Sequence, residues 1–391
     1  MLQGSVRRSG SRVRVTAQLV ETAEGYHLWS ERFDREMTDV FAIQDEISHA
    51  IVEKLRVRLT GDRPLVKPHT DNIEAYHLFL RGRHCVRRVM PESLAKGKEY
   101  LEQAIALDPD YALAYAGMVE YYSASAFWGL KDPKDALPRI KSAAMEALSR
   151  DDMLPDGHAA LGIAKGIGDF DWVGAEQEFR RALELNPASP NVRFAYGFYC
   201  LRPIGRLDEA MSQVQRAVEL DPLSATYNTL LGYLSYVRGQ FDLGVVQQRR
   251  AMDLDPGWYV PHWLLAIAYG HVGRNDEAIA AAEKACELSG RNAPTLGVLG
   301  LAYGRAGRRG DAQALLEELT TQRRTTYVPP YAMAAIYRGL GEVAQAFQWL
   351  EKGIDERDMV VVTALKTEPG YNPLRGHPRY QALLRKMNLE P

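Results

Sequence analysis

Cysteine is scarce in this chain of 391 residues: there are three, Cys85, Cys200 and Cys286, far apart and without paired spacing. That argues against a disulfide framework and against a thiolate zinc site. An excess of charge of one sign is also lacking, since 48 Lys and Arg meet 50 Asp and Glu for a net charge of −2. No polyelectrolyte partner is implied, and nucleic acid is not favoured. No apolar run approaches the ~20 residues of a membrane-spanning helix, and Met1 to Gly10 lack the apolar centre of a secretion signal. Read as it stands, the chain is expected in the cytoplasm. With 46% hydrophobic and 25% charged residues it can still bury an extended core.

What the sequence does have is a period. Gly162, Gly197, Gly232, Ala266, Gly300 and Ala334 follow one another at 34 or 35 residues. A second ladder runs Ala175, Ala210, Gly244, Ala278, Ala312 and Ala346, and a third runs Ala182, Ala217, Ala251 and Ala285 before loosening to Leu319 and Gly353. Pro187, Pro222 and Pro256 close three of the units. Two antiparallel helices approach closely only where no side chain intervenes, so recurring small residues mark a crossing in every unit. Gly239 falls between two helices, where a left-handed turn is needed, and Pro256 stops the helix that precedes it. Self-similarity of this length predicts a mainly α chain, an α-α superhelical solenoid of stacked helical pairs.

Laid in register, these units resemble the tetratricopeptide repeat family. In the unit starting at Tyr259 the family's pattern falls on His262, Leu265, Ala266, Tyr269, Ala278, Ala282, Ala285 and Gly290, so its Trp, Gly, Phe and final Pro are replaced. Eight units are expected over residues 73–358, at 75–109, 112–152, 155–189, 190–224, 225–258, 259–292, 293–326 and 327–358. The first two are looser, with insertions around Met90 to Ser93 and Phe127 to Pro138. Beyond them, residues 359–391 form a C-terminal extension. There Tyr380, Leu383, Leu384 and Met387 share one helical face, as a capping helix requires.

The first 59 residues follow another rule. Val13, Val15, Ala17 and Leu19 alternate with Arg12, Arg14, Thr16 and Gln18, the period of a strand with one buried face. A second run from Tyr26 to Phe33, after a turn at Glu24-Gly25, completes a hairpin. A helix is expected from Thr38 to about Leu55, then a linker over residues 60–72. Leu2 to Gly10, Ala17 to Val20 and His27 to Asp34 resemble the second half of a TolB amino-terminal domain. That domain precedes tetratricopeptide repeats in bacterial adenylate and guanylate cyclase chains and transcription regulators. The resemblance implies that it continues upstream of residue 1.

No catalytic constellation emerges, so the chain is not expected to be an enzyme, and no cofactor or metal is called for. Glu46 and His49 make a single Glu-x-x-His pair where a di-metal site needs two. Gly300, Gly304, Gly307 and Gly310 are followed by no Gly-Lys-Ser/Thr and read as repeat turns and helix contacts. His84 and Cys85 are adjacent on a helix and point about 100° apart.

The resemblance implies that the first helix of each unit lines an inner groove. Its register gives Phe194, Phe198, Tyr233, Tyr236, Trp263, Ile267, Leu301 and Tyr331 as the floor, with Arg202, His271, Arg305 and Arg338 near the rim. An aromatic floor with a basic rim suits an extended peptide or partner helix bearing apolar anchors and carboxylates. Packing between neighbouring helices is the competing use of the same aromatics. The Lys and Asn that clamp a chaperone's C-terminus in some family members are absent, since Phe194 and Phe198, Thr229 and Tyr233, and Trp263 and Ile267 stand there. Three functions follow as expectations: a noncatalytic protein-interaction scaffold, the sensory or regulatory part of a cyclase-type or transcription-regulator protein, or a groove that holds a small molecule. In the second case an upstream membrane segment would put the repeats outside the cytoplasm.

Overall fold

The computed structural model describes residues 2–9, 12–20, 27–36, 46 and 69–390. The helix expected from Thr38, the Glu24-Gly25 turn, His49 and most of the 60–72 linker lie outside the described residues. The described chain forms two compact units, one of residues up to 78 with 103–111, the other of 79–102 with 112–390.

In the first unit, strands β1 (Leu2–Ser9), β2 (Arg12–Val20) and β3 (His27–Glu36) form an antiparallel sheet in the order β1-β2-β3. Val15 faces Phe33 across β2 and β3, and the register shifts between Leu19 and Val20. The hairpin was legible in the alternation of β2, where Ala17 is buried and Arg12 and Arg14 are exposed. β1 was not. Its residues Gly4, Ser5, Arg7 and Arg8 carry no apolar alternation, Val6 is 69% exposed, and pairing rests on backbone bonds to β2. Asn72 caps the next helix by accepting from the Ala75 N–H at 3.0 Å.

The helices run in antiparallel pairs. They are α1 (Ile73–Arg87) with α2 (Pro91–Leu107), α3 (Ala112–Phe127) with α4 (Pro133–Arg150), and α5 (Pro155–Ile163) with α6 (Trp172–Leu185). Then come α7 (Pro190–Tyr196) with α8 (Leu207–Leu220), α9 (Ala225–Val237) with α10 (Phe241–Leu254), and α11 (Val260–His271) with α12 (Asn275–Ser289). The last are α13 (Ala293–Arg305) with α14 (Arg309–Gln322) and α15 (Pro330–Gly339) with α16 (Val343–Asp355). Side chains of Asp132, Asp171, Ser189, Ser224 and Asn292 accept backbone N–H groups at helix starts, and Pro133, Pro155 and Pro190 open helices where a missing N–H costs nothing.

The ladders of small residues sit at the crossings. Ala175, Ala210, Ala278, Ala312 and Ala346 are fully buried, as are Ala182, Ala217, Ala251 and Ala285. A Cβ on Gly232 would lie 3.0 Å from the carbonyl oxygen of Gly244, and one on Gly244 2.9 Å from that of Gly232. Gly239 turns the chain between α9 and α10 at φ +79°, a conformation that costs other residues about 1 kcal/mol. The tightest approach joins first helices of successive units. On α13, Gly297, Gly300 and Gly304 face Ala332, Ile336 and Gly339 of α15.

Two helices end in a wider turn. Ala164–Gly168 continues α5 and Gly197–Leu201 continues α7, both as π-helix. Beyond α16, Asp358 starts α17 (Met359–Ala364), followed by a 3-10 turn (Pro369–Leu374) and α18 (Pro378–Lys386). The tail reaches back to the third pair: the Trp172 indole donates to the Met387 carbonyl at 2.7 Å, Asn388 Nδ2 to the Phe170 carbonyl at 3.2 Å, and Arg357 Nε to the Gly168 carbonyl at 3.0 Å. α18 buries Tyr380, Leu383 and Leu384, and the Tyr380 hydroxyl donates to the Leu365 carbonyl at 2.6 Å.

Candidate functional site

Within the second unit the inner helices do not close completely. A cavity of about 240 Å³ remains among α3, α5, α7, α9 and α11, with Val360 and Ala364 of α17 on its wall. The insertion after α3 carries Trp128 across the inner face. Its ring meets Trp263 edge to face at 5.5 Å and Tyr259 at 5.3 Å. Phe194 stacks on Phe198 at 5.7 Å, and Phe198 lies 5.4 Å from Phe127. These rings give the cavity an apolar wall, held by the offset and edge contacts that aromatic quadrupoles favour.

The π-turn at Gly197–Leu201 shapes one side. An extra residue in the turn carries Phe198 and Tyr199 to the cavity and delivers Arg202 directly after it. Arg202 is 3% exposed, and its guanidinium lies 4.4 Å from the Phe198 ring centre and 4.9 Å from that of Tyr233. Its Nε donates to the Thr363 carbonyl at 2.8 Å and its Nη2 to Thr363 Oγ1 at 2.7 Å. Burial pulls this guanidinium below its ordinary pKa, and burial pushes the Tyr199 phenol well above its own, so Tyr199 stays protonated at neutral pH.

Beside it lies a cationic cluster. Glu368, from the segment after α17, is the carboxylate whose charge acts on Arg202, Arg305 and Arg338, and Arg338 Nη2 stands 3.9 Å from it. Arg338 also covers the Tyr371 ring at 3.9 Å. Three guanidinium groups thus share one glutamate. At the other end of the cavity, Glu120 pairs with Arg83 at 3.3 Å, and Asn191 Nδ2 donates to Asp156 at 3.2 Å.

Of the residues placed on the inner floor by register, Phe194, Phe198, Arg202, Tyr233, Trp263 and Ile267 line this one cavity. The others serve elsewhere. Leu301 is buried where α13 meets Gly339, and Tyr331 is 1% exposed beneath Trp263, 6.0 Å from ring to ring. Tyr236 packs 5.8 Å from the His271 ring, while His271 itself is exposed. Arg305 and Arg338 face Glu368 rather than the cavity. Register missed Trp128, Tyr199, Glu368 and Val360, all of which line the cavity. The insertion from Phe127 to Pro138, longer than the period allows, was the one available signal for Trp128.

The architecture is a mainly α array of helical pairs, with a small antiparallel sheet in the first unit. Residues 261–292 match the family model described as tetratricopeptide repeat. Among curated proteins, "Putative adenylate cyclase 3" of Rhizobium meliloti (strain 1021) is 34% identical over 169 residues, 42% of this chain and 28% of that protein. "Transcriptional regulator HilA" of Salmonella typhimurium is 26% identical over 172 residues, 44% of this chain and 31% of that protein. The chain thus spans about three tenths of the length of these relatives. Among solved structures, a tetratricopeptide repeat protein from Parabacteroides merdae is 16% identical, with 69% of this chain and 100% of that one covered at a TM-score of 0.44. The Cut9-Hcn1 hetero-tetramer of the APC/C is 15% identical, with 77% and 53% covered at 0.49. Among the described residues no group of His, Cys, Asp and Glu is arranged to hold a metal ion, and no helix is long and apolar enough to cross a membrane.

Proposed function

We propose that this chain is a noncatalytic protein-interaction scaffold, which seats an apolar side chain of a partner peptide or helix in the aromatic cavity on its inner face. The observation that carries this reading is the unfilled space itself. Protein interiors are close-packed, and an aromatic-walled cavity left open beside half-buried Phe194 and Phe198 is surface kept available for a ligand. Peptide selection from a random library on the full chain tests it. Enriched peptides are expected to share one aromatic or branched apolar anchor, and Phe194→Ala with Phe198→Ala should weaken them about tenfold or more. Unchanged affinity in that double variant would remove the cavity from the binding surface.

A second reading is favoured by the curated relatives. One is named as a cyclase and the other as a transcription regulator, which supports a role as the sensory or regulatory portion of a bacterial signalling protein, working in the cytoplasm. Deleting the corresponding segment from the intact polypeptide should alter the output of its attached domain. An output indifferent to the deletion would reject this role.

A further inference from the structure

The cavity holds more than apolar wall. Arg202 spends Nε and Nη2 on Thr363, and its third nitrogen, Nη1, makes no hydrogen bond among the described residues, although the side chain is almost wholly buried and lines the space. Tyr199 lines the same cavity and is an electrostatic neighbour of Arg202, and its hydroxyl likewise makes no hydrogen bond among the described residues. Both are donors lacking acceptors.

The charge around them has the matching sign. Arg202, Arg305 and Arg338 share Glu368, and Arg338 Nη2 makes no hydrogen bond either. The carboxylates at the far end, Glu120 and Asp156, are engaged by Arg83 and Asn191. Another negative group placed at Arg202 would therefore meet two uncompensated positive charges beside the single negative one of Glu368. Size sets the rest. At about 240 Å³ the cavity exceeds the roughly 150 Å³ that accepts benzene and falls just short of the roughly 300 Å³ at which drug-sized pockets begin.

We propose that this cavity binds a compact, mainly apolar carboxylic acid of about ten to fifteen non-hydrogen atoms, its body against Phe127, Trp128, Phe198 and Trp263 and its carboxylate on Arg202 Nη1 and the Tyr199 hydroxyl. The inference rests on the reading of the cavity as a binding site, and it makes the acid a competitor of the partner's apolar anchor. A small acid would then control partner binding without any catalytic step.

Isothermal titration calorimetry of the full chain with 3-phenylpropionate and with its neutral isostere 3-phenylpropionamide tests it. The acid is expected to bind one to a chain and about tenfold or more tighter than the amide, because a charge-assisted pair replaces a neutral one. Tyr199→Phe should weaken the acid about fivefold and the amide by less, because the hydroxyl's bond to an ionised acceptor is the stronger one. Arg202→Gln, which removes the charge, should abolish the preference, and if that variant does not fold, the wild-type acid-to-amide ratio and Tyr199→Phe still decide. Equal binding of acid and amide would overturn the proposal while leaving the cavity available to a partner's side chain. Absence of saturable binding by either would overturn it as well, and the peptide selection would then judge the scaffold reading by itself.

Discussion

Gly304→Val is expected to lower stability by about 4 kcal/mol, or to prevent folding, with urea denaturation as the measurement. A Cβ on Gly304 would fall inside contact with the Gly339 carbonyl carbon and 2.8 Å from the Leu340 nitrogen. Nearby, a Cβ on Gly297 would stand 2.6 Å from the Ala332 Cα, and one on Gly339 2.6 Å from the Leu301 carbonyl oxygen. These neighbours are backbone, so no rotamer change relieves them, and α13 would have to move away from α15. The control is Gly310→Ala on α14, where a Cβ meets nothing within 4 Å. That change should stabilise by about 0.5–1 kcal/mol through helix propensity alone. A valine at 304 that costs less than about 1 kcal/mol would refute the backbone-to-backbone contact.

Asp358→Ala should be nearly as damaging, at about 3–5 kcal/mol. Its carboxylate is 2% exposed and accepts from three backbone N–H groups: Tyr331 at 2.7 Å, Val360 at 3.0 Å and Val361 at 3.3 Å. One side chain thus satisfies the first turn of α17 and ties it to the start of α15. Burial outweighs these donors and pushes the carboxyl from 3.8 up to about 6. A folded-state value above the unfolded one means that this group's contribution is complete below about pH 4 and is lost as pH rises through about 6. Two pKa units correspond to about 3 kcal/mol at most. Chemical denaturation of the wild type against Asp358→Asn, which does not titrate, should show the wild type's advantage shrinking between pH 4 and pH 7. An advantage that grows over that range would show that the hydrogen bonds, rather than burial, set the carboxyl's affinity for its proton.

The repeat was legible because geometry imposes it. Wherever two helices cross at backbone distance, as at Gly232 and Gly244, only a small residue fits, and the requirement recurs once in each pair. The left-handed turn at Gly239 was legible for the same kind of reason. What register could not supply were contacts that occur once. Trp128 meets Trp263, and Arg202 meets Thr363, without any periodic trace, because each pair is chosen by the path of one loop or of the tail. Register placed Phe194, Phe198, Arg202, Tyr233, Trp263 and Ile267 on one inner face, and they do line one cavity. It could not separate them from Leu301 and Tyr331, which the glycine-mediated approach of α13 and α15 draws into helix packing. β1 escaped because its described side chains, Ser5, Val6 and Arg7, are all exposed and carry no apolar alternation.

A linear array of repeats, each touching only its neighbours, frays from its ends and can lose its last pairs while the middle persists. Here the indole of Trp172 grips Met387, Asn388 grips Phe170, and Arg357 grips Gly168, across sequence separations of 215, 218 and 189 residues. Pairs between those anchors have no free end from which to unravel. Amide hydrogen exchange should accordingly report one shared opening energy from α6 to α18 in place of a gradient rising toward the centre. The same long-range closure has a kinetic cost, because the ends must find each other across some two hundred intervening residues before the chain gains from their meeting.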